Sequence, residues 1–236
     1  AKIEFFTHIT HEIQTPLTLI LGRVQGMLRK ITDGDTIRKN LLQVEKNTLR
    51  LTELTAELLD FRKTELHQFG LNFVKTNIVD LLKEVMSSFE QIAEQNNIRL
   101  NSAYPEDDVI AFVDREATVK ILNNLLSNAI KYGLTYVNVR LADPDIEKNS
   151  FNITVENDSE PIPDKYAKKI FEPFFRIENS LGFGTGIGLS LAKSLSELHK
   201  GTLQLIENGG SLVIFELVLP LRQEREFELS SWKKIR

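Results

Sequence analysis

Apolar residues at Phe6, Ile9, Ile13, Leu17, Ile20, Val24, Met27 and Ile31 recur in steps of three or four, the spacing of one face of a helix over residues 5–31. A second run, Ile37, Leu41, Val44, Thr48, Leu51, Thr55 and Leu58, alternates steps of four and three as a coiled-coil seam does. Thr32-Asp33-Gly34-Asp35 between them is a cluster of turn residues. Residues 1–64 therefore read as a helical hairpin. Leu42, Leu49, Leu59 and Phe61 add apolar surface that one hairpin cannot hide. Two hairpins would bury it as a four-helix bundle, which predicts a homodimer.

From about residue 70 the period changes. Strands are expected at 71–75, 98–103, 109–113, 135–141, 151–156, 202–206 and 212–219, and helices at 78–96, 116–132 and 187–199, with a short one near 165–170. Pro144 and the polar run to Ser150 punctuate a hairpin with a long loop. The order lacks the regular strand-helix-strand spacing of a parallel sheet. The expected class is α+β: a helical hairpin followed by an α/β sandwich in which helices cover one mixed sheet. Residues 1–66 and 70–221 form the two expected domains, and 222–236 a polar tail or linker.

Composition narrows the function. With 42% hydrophobic and 26% charged residues, the chain has the makeup of an ordinary soluble protein. A net charge of -4 with dispersed basic residues gives no footprint for direct nucleic-acid binding. The absence of cysteine excludes disulfides, zinc-cysteine sites and thiol catalysis. No run of about 18 apolar residues is present. The chain opens at Ala1-Lys2-Ile3-Glu4, already in helical pattern, so a preceding part is expected to hold sensing and membrane segments. The expected location is therefore the cytoplasmic region of a membrane-anchored protein, with membrane contact only through those segments.

Candidate chemistry concentrates at His11-Glu12-Ile13-Gln14-Thr15-Pro16-Leu17. His11 lies off the apolar stripe, and His8 and Thr15, three before and four after it, share its face. Pro16 has no N–H for the carbonyl of Glu12, so a bend is expected there; a mid-helix proline costs about 3 kcal/mol. The plain alternative is a solvated helix with two histidines, and for His8 a solvated or interface role is the expectation. The residue order resembles the H box of sensor histidine kinases, with Gln14 in place of the usual basic residue. That resemblance implies that His11 accepts a phosphoryl group, that Glu12 is its general base, and that Glu12 and Thr15 serve a reverse phosphatase reaction.

Further on, Asn124 and Asn128 lie one helical turn apart, so their amide oxygens can point the same way, with Lys131 and Tyr132 following. An amide oxygen suits magnesium that binds mainly through a nucleotide's phosphates, and Lys131 offers those phosphates a positive charge. A helix with a polar wet side would look similar. The string from Ile121 to Tyr132 resembles the N box of the ATP-binding fold shared by histidine kinases and gyrase. By that resemblance Asn128 is the magnesium ligand and Asn124 its neighbour. Gly182-Phe183-Gly184-Thr185-Gly186-Ile187-Gly188-Leu189 offers close backbone approach to phosphate at a helix start. It resembles the family's second glycine box, and Phe171-Glu172-Pro173-Phe174-Phe175-Arg176 its F box. Only seven residues separate Arg176 from Gly184, a short lid from which nucleotide should exchange readily.

The first glycine box departs from the family pattern Asp-x-Gly-x-Gly-Ile. Aligned on Ile162, the aspartate that binds the adenine amino group becomes Asn157, and the glycines become Ser159 and Pro161. A neutral acceptor binds more weakly than a carboxylate, and Asp158 would substitute if the turn shifted register. Val213 stands where the family has a hydroxyl. Weak ATP binding or relaxed base selectivity is therefore expected. The resemblance spans residues 1 to about 220 and implies a sensor histidine kinase: ATP and Mg2+ as cofactors, autophosphorylation of His11, and transfer to an aspartate of a response-regulator receiver domain. The alternatives are an ATPase of the same fold without autophosphorylation, and a degenerate kinase acting as a dimeric receiver-docking scaffold.

Overall fold

The computed structural model describes residues 2–29, 34–65, 70–177 and 186–223, with side chains from residue 13 onward except at 28, 29, 50, 65, 208 and 209. Two long helices, α1 (Lys2–Arg29) and α2 (Gly34–Glu65), pack on each other as the hairpin. An Arg23 Nη1 to Asn40 Oδ1 hydrogen bond of 3.2 Å crosses between them. Pro16 sits inside α1 and is buried. Leu41, Leu42, Leu49 and Leu59 each leave more than half of their surface in solvent, as the dimer argument requires. Phe61 departs from that expectation. It is only 4% exposed, because its ring meets Phe174 of the second domain edge to face at 5.8 Å.

The second domain holds β1 (Val74–Asn77), α3 (Ile78–Gln95), β2 (Arg99–Ala103), β3 (Ile110–Val113), α4 (Arg115–Tyr132), β4 (Tyr136–Leu141), β5 (Ser150–Asp158), α5 (Gly188–Leu198), β6 (Thr202–Gly209) and β7 (Leu212–Pro220). Five strands form a mixed sheet in the order β2-β4-β5-β7-β6, with only the β2–β4 pair parallel. The sheet is mixed as expected, but β1 and β3 stand apart as an antiparallel pair. The expected strand at 71–75 starts later, at Val74, because 71–73 is held differently. Asn72 donates its N–H to Asp114 at 2.7 Å, and Phe73 lies edge to face on His199 at 5.5 Å. The short helix expected near 165–170 is two 3-10 turns, Asp164–Tyr166 and Lys169–Phe171.

Local chemistry explains the boundaries. Asn77 caps α3 by accepting from the Val79 N–H at 3.1 Å, and Asp114 caps α4 by accepting from the Ala117 N–H at 2.9 Å. Along β5 and β7 alternate residues are buried, so Phe151, Ile153, Val155, Phe215, Leu217 and Leu219 turn one sheet face into the core. Buried Ile121, Leu122, Leu125 and Leu126 of α4 and Leu191 and Leu195 of α5 join the same cluster. This packing lays α4 and α5 side by side on that face of the sheet.

Candidate functional site

Helix α1, which carries His11, comes first in the chain. His11 and Glu12 lie on the backbone of α1, but their side chains fall outside the described residues. Thr15, one turn on, is exposed. Thr18 donates its hydroxyl to the Gln14 carbonyl at 2.8 Å, an added local tie in the turn after Pro16.

The second cluster is built by α4 and α5. Asn124 donates from Nδ2 to the Lys120 carbonyl at 2.9 Å, which turns its Oδ1 outward. That oxygen meets the start of α5: a Cβ placed on Gly188 would lie 2.5 Å from it. Gly188 therefore lets the N-terminus of α5 approach α4 more closely than a side chain allows. Asn128, half-buried one turn later, makes no side-chain hydrogen bond among the described residues. Lys131 and Tyr132 are exposed at the C-terminal end of α4, with the lysine Nζ 4.9 Å from the tyrosine ring centre.

Gly184 and Thr185 lie outside the described residues, but both flanks of that segment are held together. The Phe174 N–H donates to the Gly186 carbonyl at 2.9 Å. Both residues take left-handed backbone, at φ 66 and φ 70. A Cβ on Gly186 would fall 2.8 Å from the Phe174 carbonyl carbon, so only glycine fits. Leu189 and Ile162 are half-buried against the core. The fold thus joins Phe174, Gly186, Gly188 and Asn124 into one contact series, with Asn128 next along α4.

Asn157 closes the buried row of β5 at 3% exposure, directly opposite Val137 and Val213. Asp158 does not take its place. Its carboxylate accepts the N–H groups of Leu134, Thr135 and Tyr136 at 3.1, 2.9 and 3.0 Å and the Thr135 hydroxyl at 2.5 Å. Burial pushes this carboxyl up, but the Thr135 hydroxyl and the three N–H donors outweigh it and hold its pKa at about 2. Asp158 is a clamp on the turn that leads into β4.

Two features escaped sequence reasoning. Lys120 pairs with Asp60 of α2 at 2.7 Å and with Glu116 at 3.3 Å. Burial would lower the lysine pKa, and the bond to Asp60 leads the effects that raise it. His199 is wholly buried, with Nε2 accepting the Asp114 N–H at 3.1 Å and Nδ1 2.7 Å from the Leu195 carbonyl. Nothing in the sequence pattern paired position 114 with position 199, which lie 85 residues apart.

No helix among the described residues is long and apolar enough to cross a membrane. Among them, too, no group of three or more His, Asp or Glu is placed to hold a metal. A divalent ion would accordingly depend on phosphate oxygens plus an amide such as Asn128, a donor set that suits magnesium.

The model of the His Kinase A (phospho-acceptor) domain matches residues 1–66, and that of the histidine kinase-, DNA gyrase B- and HSP90-like ATPase matches residues 113–223. Histidine kinase P4 of Formosa agariphila is 37% identical over 227 residues, covering 94% of this chain and 16% of the relative. Sensor histidine kinase TmoS of Ectopseudomonas mendocina is 34% identical over 229 residues, 94% of this chain and 23% of its own length. The chain therefore spans less than a quarter of these two relatives. Among solved structures, histidine kinase ThkA in complex with response regulator protein TrrA matches with a TM-score of 0.70 and 25% identity, over 92% of this chain and 61% of that one.

Proposed function

Because the chain belongs to the sensor histidine kinases of two-component systems, we propose that it transfers the γ-phosphoryl group of ATP to His11 and then to an aspartate of a response-regulator receiver domain. The observation that carries the reading is the meeting of Asn124 with Gly188, more than sixty residues apart, beside the left-handed Gly186. The Asn124 amide there meets the N-terminus of α5 at a point that a Cβ on residue 188 would crowd. Such a cradle suits a polyphosphate.

In this proposal the domains are residues 1–66, for dimerisation and phosphate acceptance, and 70–221, for ATP binding, with 222–236 as a linker. Asn124, Asn128, Lys131 and Tyr132 line the site from α4. Gly184, Thr185, Gly186, Gly188 and Leu189 line it from the glycine segment, and Phe174 from the F box. Asn157 and Ile162 stand at the base. Asn128 would hold Mg2+, which supplies charge neutralisation on the phosphates when bound. His11 attacks the γ-phosphorus, the bond to the bridging oxygen breaks, and ADP leaves. Glu12 orients the ring and takes its proton. In the reverse reaction the Thr15 hydroxyl positions water near the phosphoaspartate. The protein works as a homodimer through the hairpin, in a cytoplasmic region anchored by segments elsewhere in the parent protein.

Incubation with γ-labelled ATP tests this directly. Acid-labile label that vanishes in His11→Ala, and that passes to a receiver domain, is expected. ATP hydrolysis with no label on the chain would point to an ATPase instead. A docking scaffold without kinase activity is the second reading, favoured by the neutral Asn157 and by Asp158's commitment to the turn. Absence of nucleotide binding with retained receiver binding would select it.

A further inference from the structure

We propose that the base pocket accepts 6-amino and 6-oxo purines alike, with Asn157 as the residue that reads the base edge. This deepens, and rests on, the reading of the site as a nucleotide pocket. Asn157 is nine-tenths buried and more, in a row whose other members are Phe151, Ile153 and Val155. A buried amide carries two donors and an acceptor that lose water and need replacement partners.

The fold supplies none among the described residues. Register puts Val137 on one side of Asn157 and Val213 on the other, and neither side chain can hydrogen-bond. Ser159, two residues on, directs its hydroxyl at the Glu160 carbonyl at 3.3 Å and its N–H at the Ser211 carbonyl at 3.1 Å. Of the two adjacent carboxylates, Asp158 is spent on Leu134, Thr135 and Tyr136, and Glu156 accepts from Asn138 Nδ2 at 2.7 Å. The amide is therefore pinned in neither orientation.

Selectivity follows from that freedom. A carboxylate offers only acceptors, so it welcomes the amino group at purine position 6 and repels a carbonyl there. An asparagine presents Oδ1 to a 6-amino group and, after rotating half a turn about its last torsion, Nδ2 to a 6-oxo group. The same residue then satisfies both edges, and the pocket loses the repulsive element on which discrimination depends.

ATP and ITP differ at this edge of the base and form the test pair. Their magnesium complexes are titrated calorimetrically into the 236-residue chain. The expected result is dissociation constants within tenfold of each other. In Asn157→Asp the ratio moves at least tenfold toward ATP, while Asn157→Leu weakens both nucleotides alike. Thermal melting of each variant establishes that it is folded. The wild-type ratio stands as a test even where a variant fails to fold. A preference for ATP of a hundredfold or more in the wild type, or an unchanged ratio in folded Asn157→Asp, overturns the proposal while leaving the nucleotide site intact. Failure of both nucleotides to bind overturns the proposal together with the reading beneath it.

Discussion

In the sandwich, Leu82, Leu126, Ile153 and Leu217 are wholly buried, whereas in the hairpin Leu41, Leu42, Leu49 and Leu59 keep more than half of their surface in water. Both regions are rich in leucine, so composition does not separate them. The difference lies in layers. Helices α3, α4 and α5 and the five-stranded sheet cover one another, whereas α1 and α2 cover each other and α2 meets the sandwich around Asp60 and Phe61. The sandwich thus stabilises itself within one chain, while in the proposed dimer the hairpin's stability would depend on a second copy and on protein concentration.

The largest expected effect comes from attacking that dependence. Leu42 and Leu49 are seven residues apart on one face of α2, and a symmetric dimer would bury four such side chains. At about 1.5–3 kcal/mol each, they contribute more than most dimers can lose. Replacing both by Glu is expected to give a monomer by analytical ultracentrifugation at micromolar concentration, with the sandwich melting as before. A double variant that still sediments as a dimer would contradict the placement of the interface on this face.

Phe61 tests the boundary between the two regions. It belongs to α2 but is buried as completely as a sandwich residue, against Phe174. Truncating a buried aromatic to Ala costs about 3–5 kcal/mol. Phe61→Ala is expected to lower the melting temperature of the intact chain and to separate hairpin and sandwich transitions in calorimetry. Leu59→Ala, two residues earlier and largely exposed, should leave the melting of a monomeric variant nearly unchanged.

Most of the architecture was legible in the period of the apolar residues. The hairpin, α3, α4, α5 and the strands of the five-stranded sheet fall within a few residues of their expected limits, because one buried face imposes a period on each. The start of β1 was not legible: Leu71 and Phe73 look like strand residues but are held by packing and by Asp114. The separation of β1 and β3 from the main sheet depends on pairings that no local pattern encodes. At the site, the asparagine spacing and the glycines were visible, since each is a local constraint. The Asp158 clamp, the Lys120–Asp60 pair and the His199–Asp114 bond were not, because these partners lie 22 to 85 residues away.

His199 gives a smaller, pH-dependent effect confined to the sandwich. Burial, the leading cause, lowers its pKa below the ordinary 6.5, while the Leu195 carbonyl and Asp114 oppose the shift. Below pH 6.5 the unfolded chain takes up a proton that the folded chain refuses, so stability falls as pH drops from 6.5 toward the folded pKa. The slope reaches at most about 1.4 kcal/mol per pH unit for one group. His199→Gln should be less stable at pH 8 but flatter between pH 6.5 and 5 in urea denaturation. An equal slope in variant and wild type would exclude His199 as the source.

The smallest effect tests whether the two regions are joined by charge as well as by aromatic packing. Asp60 and Lys120 approach to 2.7 Å, with both side chains less than a third exposed, but Lys120 also has Glu116 at 3.3 Å. Loss of Asp60 therefore leaves the lysine a partner on its own helix, which limits the cost. A double-mutant cycle with Asp60→Asn and Lys120→Met should give a coupling of about 1 kcal/mol or less, weakening as salt is raised. Coupling well above that would mean that charge rivals Phe61 in fixing the sandwich on α2. Zero coupling at low salt would leave the packing of Phe61 on Phe174, and not this ion pair, to hold α2 against the sandwich.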